Sequence, residues 1–283
     1  MQSRMSINFL DKLDKKSEEK FAGLSQYKVI KIALLPYDSP EIVSFNTSVA
    51  PPIDAPFIKL FILLINQIHS KNNKIKSTLT GKLPRDLCRD IEKLYLSEEE
   101  FKFLLRDKLP IMKEEHFLEL HKVRLISQFS GYIKRNKNKF TLTKSSINII
   151  KKGFSIFDYL NLLKASTLRY NWSYYDIYDE IDFLQGSFLF TLYLLKIFGD
   201  EFSPKEFYAE KFIQAFPSVV ENVSNKDYLN PETEIKKAYI IRALDFFAIG
   251  FGFAKCDGKF SNLPRLYENI KKTDFLDKFI EFK

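Results

Sequence analysis

A chain of 283 residues with 45% hydrophobic and 28% charged residues is not disordered, collagen-like or a coiled coil, and it is long enough for two modest domains. Its formal charge of +8 is regional: residues 70–152 hold 20 Lys and Arg against 10 Asp and Glu, so the rest of the chain is slightly acidic. Two isolated cysteines, Cys88 and Cys256, support neither a disulfide framework nor a cysteine zinc site and fit a reducing cytoplasm. Abundant Lys, Asn, Ile and Phe, with only 9 Arg among the 44 basic residues, is what a bacterial-type, AT-rich coding sequence produces. Such bias raises lysine, but it does not strip the acids from one segment.

In chain order, residues 1–22 read as a short amphipathic helix with Ile7, Leu10 and Leu13 on one face, without the apolar core of a signal peptide. Tyr27 to Leu35 and Glu41 to Val49 are β-branched runs separated by Pro36 and Pro40, which predicts two strands and a turn. Residues 1–50 thus form an N-terminal helix with a short β-hairpin. Pro51, Pro52 and Pro56 mark a boundary. An apolar helix follows from Phe57, then an extended piece from Lys74 to Thr80. Next comes a helix over LPRDLCRDIEKLYL with Leu87, Ile91 and Leu94 at helical spacing, and a helix capped by Ser97 with Glu98, Glu99 and Glu100. The segment EEHFLELHKVRLISQF is predicted as one further helix closing at Ser130 and Gly131, followed by a hairpin from Tyr132 to Thr143. Residues 153–223 form an aromatic helical middle, which includes a single long helix from Asn171 to Phe198. Residues 231–283 carry a helix and a hairpin signalled by Asp257-Gly258. The runs Phe57–Ile68 and Phe183–Phe198 fall short of the ~20 residues a bilayer needs, so they read as core helices and no membrane partner is implied.

The most one-sided stretch is residues 120–157, with nine Lys and Arg and no Asp or Glu. The pieces LTGKLPRDLCRDI and FSGYIKRNKNKFTLT, in their order and spacing, resemble the second helix and the wing of the winged-helix superfamily. The resemblance spans residues 56–150, with the helix after Ser97 as an insertion, and the C-terminal piece GFAKCDGKFSNL echoes the same layout in reduced form. It implies a mainly α fold with small β-hairpins: a basic winged-helix-like module at 56–152, the helical middle, and a winged-helix-like unit at 231–283. It also implies nucleic-acid contact through Lys122 and Arg124 on the helix before the hairpin and Lys134, Arg135, Lys137 and Lys139 on the wing, with Lys144 just beyond. Glu114, Glu115 and Glu119 at the start of that helix repel a groove, so contact is expected to be led by the wing and directed at the backbone. The function expected is nucleic-acid binding of a regulatory or mobile-element kind; the alternative is a protein-interaction scaffold facing an acidic protein partner.

Other constellations are weaker. Asp176, Asp179 and Glu180 would share a helical face and hold a divalent cation, and Glu234 with Lys236 has the E-x-K spacing of metal-dependent nucleases, which together keep a divalent-metal hydrolase as a third reading. His116 and His121 lie five apart, which separates them around a helix, so no zinc pair is expected. No nucleophile elbow or phosphate-cradling glycine loop is present, so neither an enzyme nor a cofactor is indicated. Trp172 with Tyr170, Tyr174 and Tyr175 reads as core packing rather than a platform for stacked bases.

Overall fold

In the computed structural model, which describes residues 9–10, 12–107, 111–174, 176–221, 230–260 and 262–283, the chain is mainly helical with antiparallel sheets of two or three strands. Residues 1–8 of the expected N-terminal helix lie outside the described residues. Residues 12–22 form turns and one 3-10 turn, Glu19–Phe21, not the expected helix.

The run expected as a first strand is a helix, α1 (Gln26–Leu34). The Ser25 side chain accepts a hydrogen bond from the Lys28 amide at 3.2 Å and caps the first turn. Val29 and Ile32, three apart, bury on one face. A run rich in β-branched residues is ambiguous on its own, and the cap together with the helical partner decides it. The second run does contain a strand, β1 (Val43–Phe45), but its partner is the C-terminal strand β8 (Ile280–Phe282), with Val43 opposite Phe282.

Helix α2 (Pro56–His69) is buried on most of its circumference, through Phe57, Ile58, Leu60, Phe61, Leu64, Ile65 and Ile68. Strand β2 (Lys74–Lys76) follows, then α3 (Arg85–Tyr95), which buries Leu87, Cys88, Ile91 and Tyr95, and α4 (Glu98–Asp107). The expected cap forms as a reciprocal box: the Glu100 amide donates to Ser97 Oγ at 3.2 Å, and the Ser97 amide donates to Glu100 Oε2 at 2.7 Å. The next helix starts later than expected: Glu114–His116 is a separate 3-10 turn, and α5 spans Leu118–Phe129. Strands β3 (Ile133–Asn136) and β4 (Lys139–Leu142) and helix α6 (Lys144–Lys152) complete this part, with strand order β2-β4-β3.

The single long helix expected from Asn171 does not form. After α7 (Ile156–Leu168) the chain turns, because Asn171 and Asp176 accept bonds from the amides two residues on, Ser173 at 2.8 Å and Tyr178 at 3.0 Å. Such local bonding competes with helix. Helicity resumes only in α8 (Asp182–Gly186) and α9 (Phe188–Phe198). Strand β5 (Ser203–Pro204), α10 (Lys205–Ala215) and α11 (Ser218–Glu221) follow. Helix α12 (Pro231–Tyr239) runs on as a π-helical segment, Ile240–Ile249. Strands β6 (Ala254–Cys256) and β7 (Asn269–Lys272) and helix α13 (Asp274–Phe279) precede β8. The Asp257-Gly258 pair therefore does not close a two-residue hairpin; the connection runs over residues 257–268.

Among the described residues, one order of elements occurs twice: helix, strand, three helices, two strands, helix. It runs from α2 to α6 and again from α9 to α13, and the second sheet, β5-β7-β6, repeats the strand order of the first. The third strand of the second sheet comes from Ser203–Pro204, inside the span that reads as helical middle in the sequence. One continuous apolar core joins both halves. Much of its bulk is aromatic: the ring of Tyr159 meets Phe275 and Phe279 edge-on at 5.2 and 5.4 Å, and its hydroxyl donates to the Phe251 carbonyl at 2.9 Å.

Candidate nucleic-acid interface

The first sheet separates apolar from charged residues by the two-residue period of its strands. Ile75, Ile133, Phe140 and Leu142 are buried on the inner face. On the outer face, Lys76 stands opposite Lys139, which stands opposite Asn136; two residues along, Lys74 and Lys134 flank Thr141. All six of these outer residues are exposed. Four lysines from three strands thus share one surface.

The other wing cations divide. Arg135 pairs across the ladder with the inward Phe140, and its guanidinium lies against Gly81, where any Cβ would overlap it. Gly81 has φ +76°, so it serves both the turn and this close approach. Lys137 forms the hairpin tip with φ +51°. Lys144 is exposed at the start of α6. Among the described residues, none of Lys74, Lys76, Lys134, Arg135, Lys137, Lys139 and Lys144 lies in an ion pair. All seven are exposed.

Lys122 and Arg124 require a correction, because α5 is an interior helix: Leu120 through Arg124, Ile126 and Ser127 are all buried. Arg124 is 5% exposed and donates through Nε to Glu114 Oε1 at 2.8 Å, while His121 Nδ1 meets the same oxygen at 2.7 Å. The Leu83 amide donates to the other Glu114 oxygen. Burial alone would raise the Glu114 pKa, but His121, Arg124 and the Leu83 amide together hold it below the ordinary value. Lys122 is 3% exposed, with its ammonium 4.5 Å from the centre of the Phe246 ring. Neither cation faces solvent: Phe246 of the second half lies over Lys122, whereas Arg124 is enclosed by Glu114, His121, Gln128 and the Phe140 ring of its own half.

The acids expected to repel a groove are engaged internally. Glu114 is in the cluster above, Glu115 pairs with Lys82, and Glu119 lies 3.5 Å from Arg265. The carboxylates considered for a metal are also elsewhere than expected. Asp176 forms a two-point pair with buried Arg242, at 2.7 Å for each bond, and it, Asp179 and Glu180 lie outside any helix rather than on a helical face. Lys236 pairs with Glu232 at 2.9 Å and Glu210 at 3.3 Å. No group of three potential metal-ligating side chains occurs among the described residues. Trp172 is buried, its indole donating to the Ser166 carbonyl at 2.8 Å.

Lys74 and Lys76 are not among the expected contacts, although the alternation Lys-Ile-Lys in an extended segment ahead of a basic hairpin is a sequence signal for them. What was missing was the pairing of β2 with β4. No family model matches this chain, nor does any curated protein or solved structure. No described helix is long and apolar enough to cross a membrane.

Proposed function

We propose that this protein binds nucleic acid through the phosphate backbone, with residues 56–152 acting as a winged-helix-like module whose wing and sheet face make the contact. The observation that carries the reading is the row of exposed, internally unpaired cations on β2, β3 and β4. The order of elements and the strand order β2-β4-β3 support the winged-helix comparison. Burial of α5 removes the helix that would enter a groove, so the contact carries little base readout. The same burial favours the competing reading, an acidic protein surface docking on the sheet, which lacks the salt slope expected of a duplex.

Fluorescence anisotropy with a random-sequence DNA duplex, titrated at about 50 and about 200 mM salt, tests this. Five wing contacts, from Lys134, Arg135, Lys137, Lys139 and Lys144, give a log-log salt slope of about −4.5, and adding Lys74 and Lys76 takes it to about −6. A duplex affinity that is unaffected when Lys134, Arg135, Lys137 and Lys139 are changed together to Ser overturns the proposal.

A further inference from the structure

A second site lies away from the wing, where the two halves of the chain meet over α5. Lys122 is 3% exposed, and no carboxylate among the described residues lies within ion-pair distance of its ammonium; its one close partner is the Phe246 ring. A buried lysine without a carboxylate is costly, and such a group in a cleft is a candidate for a functional site. Phe246 and its neighbour Asp245 are presented by the π-helical segment Ile240–Ile249, a geometry that is rare and concentrated at functional sites.

Lys122 lines a small chamber of about 40 Å³ with walls that include Phe57, Leu60, Val123 and Phe246. A second, larger cavity of about 300 Å³ shares Tyr95, Glu119, Asn262, Pro264 and Arg265 with the first. The smaller space is that of about three waters, and the larger one exceeds the ~150 Å³ that admits a benzene ring. The charges around the chambers pair off with one exception. Asp245 is bridged to Lys205 at 2.6 Å, and Glu119 faces Arg265 at 3.5 Å. Lys122, among the described charges that line the smaller chamber, is the one without an opposite charge at ion-pair distance, with Glu119 and Asp245 farther off.

We propose that this junction is a binding site for a small organic monocarboxylate, its carboxylate seated in the smaller chamber against Lys122 and its apolar body in the adjoining larger one beside Tyr95 and Pro264. The ligand supplies the counter-charge the fold omits, and the aromatic and aliphatic walls recognise the remainder. A neutral isostere leaves the ammonium unpaired, and a dianion exceeds the one available charge. The site is independent of the wing, so its test does not depend on polyanion binding.

Benzoate is the probe, benzamide its neutral control, and isothermal calorimetry on the full chain the measurement. Benzoate binds the wild type, benzamide binds at least about tenfold more weakly, and Lys122→Met, which keeps the volume and removes the charge, weakens benzoate about tenfold, as expected for one charge-assisted hydrogen bond. Equal binding of benzoate and benzamide, undiminished benzoate binding by Lys122→Met, or no benzoate binding to wild type each overturns the proposal. A second measurement needs no variant. Burial pushes the Lys122 ammonium down to about 8, with Arg265 and Arg242 adding to that effect and Glu119 and Asp176 opposing it. Benzoate affinity of the wild type therefore falls as the pH is raised from about 7 to about 9, as the ammonium discharges. A flat profile across that range also overturns the assignment.

Discussion

Between β3 and β4 the chain turns within two residues, Lys137 and Asn138, whereas between β6 and β7 it takes residues 257–268. The first hairpin is short, free of acids and touches solvent along its outer face. The second is drawn inward: Phe260 packs on Phe103 at 5.3 Å, Asn262 donates to Glu100 at 2.9 Å, Lys259 pairs with Glu99 at 2.5 Å, and Arg265 faces Glu119. Its sheet neighbour Lys272 is held by Asp200 and Asp277 at 2.8 and 3.1 Å. One layout has thus produced two different surfaces. A hairpin whose cations find acids inside the chain becomes a clamp between halves, while a hairpin whose own sequence lacks acids leaves its charge exposed to solvent.

The sharpest break of this comparison is an exchange of charge removal between the two hairpins. Changing Lys134, Arg135, Lys137 and Lys139 to Ser lowers duplex affinity about a thousandfold near 0.1 M salt, whereas Lys255, Lys259 and Lys271 changed to Ser leave it within about twofold, both read by anisotropy. Equal losses from the two sets erase the distinction between them.

Stability tests probe what lies beneath each surface. Glu114→Ala leaves Arg124 and His121 buried without their carboxylate and costs about 4 kcal/mol in urea unfolding near neutral pH. Because the folded Glu114 pKa is held below its unfolded value of about 4.3, its contribution is complete above that value and disappears as the pH falls through the lower, folded one. Wild type and variant therefore converge in acid.

Lys122→Met has the opposite sign. The folded pKa of about 8 lies below the unfolded value of about 10.4, so the buried charge destabilises the fold in full below pH 8 and the penalty is relieved as the pH rises to about 10. The variant is expected to be more stable by up to about 3 kcal/mol near neutrality, with the advantage shrinking from about pH 8 to about pH 10. Tyrosine ionisation is common to both proteins and cancels in the difference.

Smaller effects test the clamp and the wing tip separately. Asn262→Ala removes the side-chain bonds to Glu100, keeps the backbone one, and lowers stability by about 2 kcal/mol, with faster amide exchange in α4 as the local readout. Lys137→Gly relieves a left-handed residue at the tip and raises stability by about 1 kcal/mol, while reducing the salt slope for duplex binding by about 1.

Several elements were legible in the sequence because local chemistry alone defines them. The Ser97 capping box, the one-faced stripe of α3 and the hairpin from Ile133 to Leu142 needed only side-chain spacing and turn residues. Tyr27 to Leu35 was misread because β-branched residues satisfy either period until the Ser25 cap and the packing against α9 select helix. The Asp257-Gly258 signal was overridden because Phe260 and Asn262 gain more by covering α4 than by extending β6.

By itself the sequence determined where positive charge accumulates, since stripping acids from residues 120–157 is a property of composition along the chain. Only the tertiary structure decided which of those charges are available. Lys134 and Lys139 reach solvent with Lys74 and Lys76 because strand pairing puts them on one face. Lys122 and Arg124, equally basic in sequence, are enclosed because distant residues close over them, Phe246 over Lys122 and Glu114 with the Phe140 ring over Arg124. Local spacing sets a side chain's direction relative to its own element, whereas burial depends on what distant residues bring against that element.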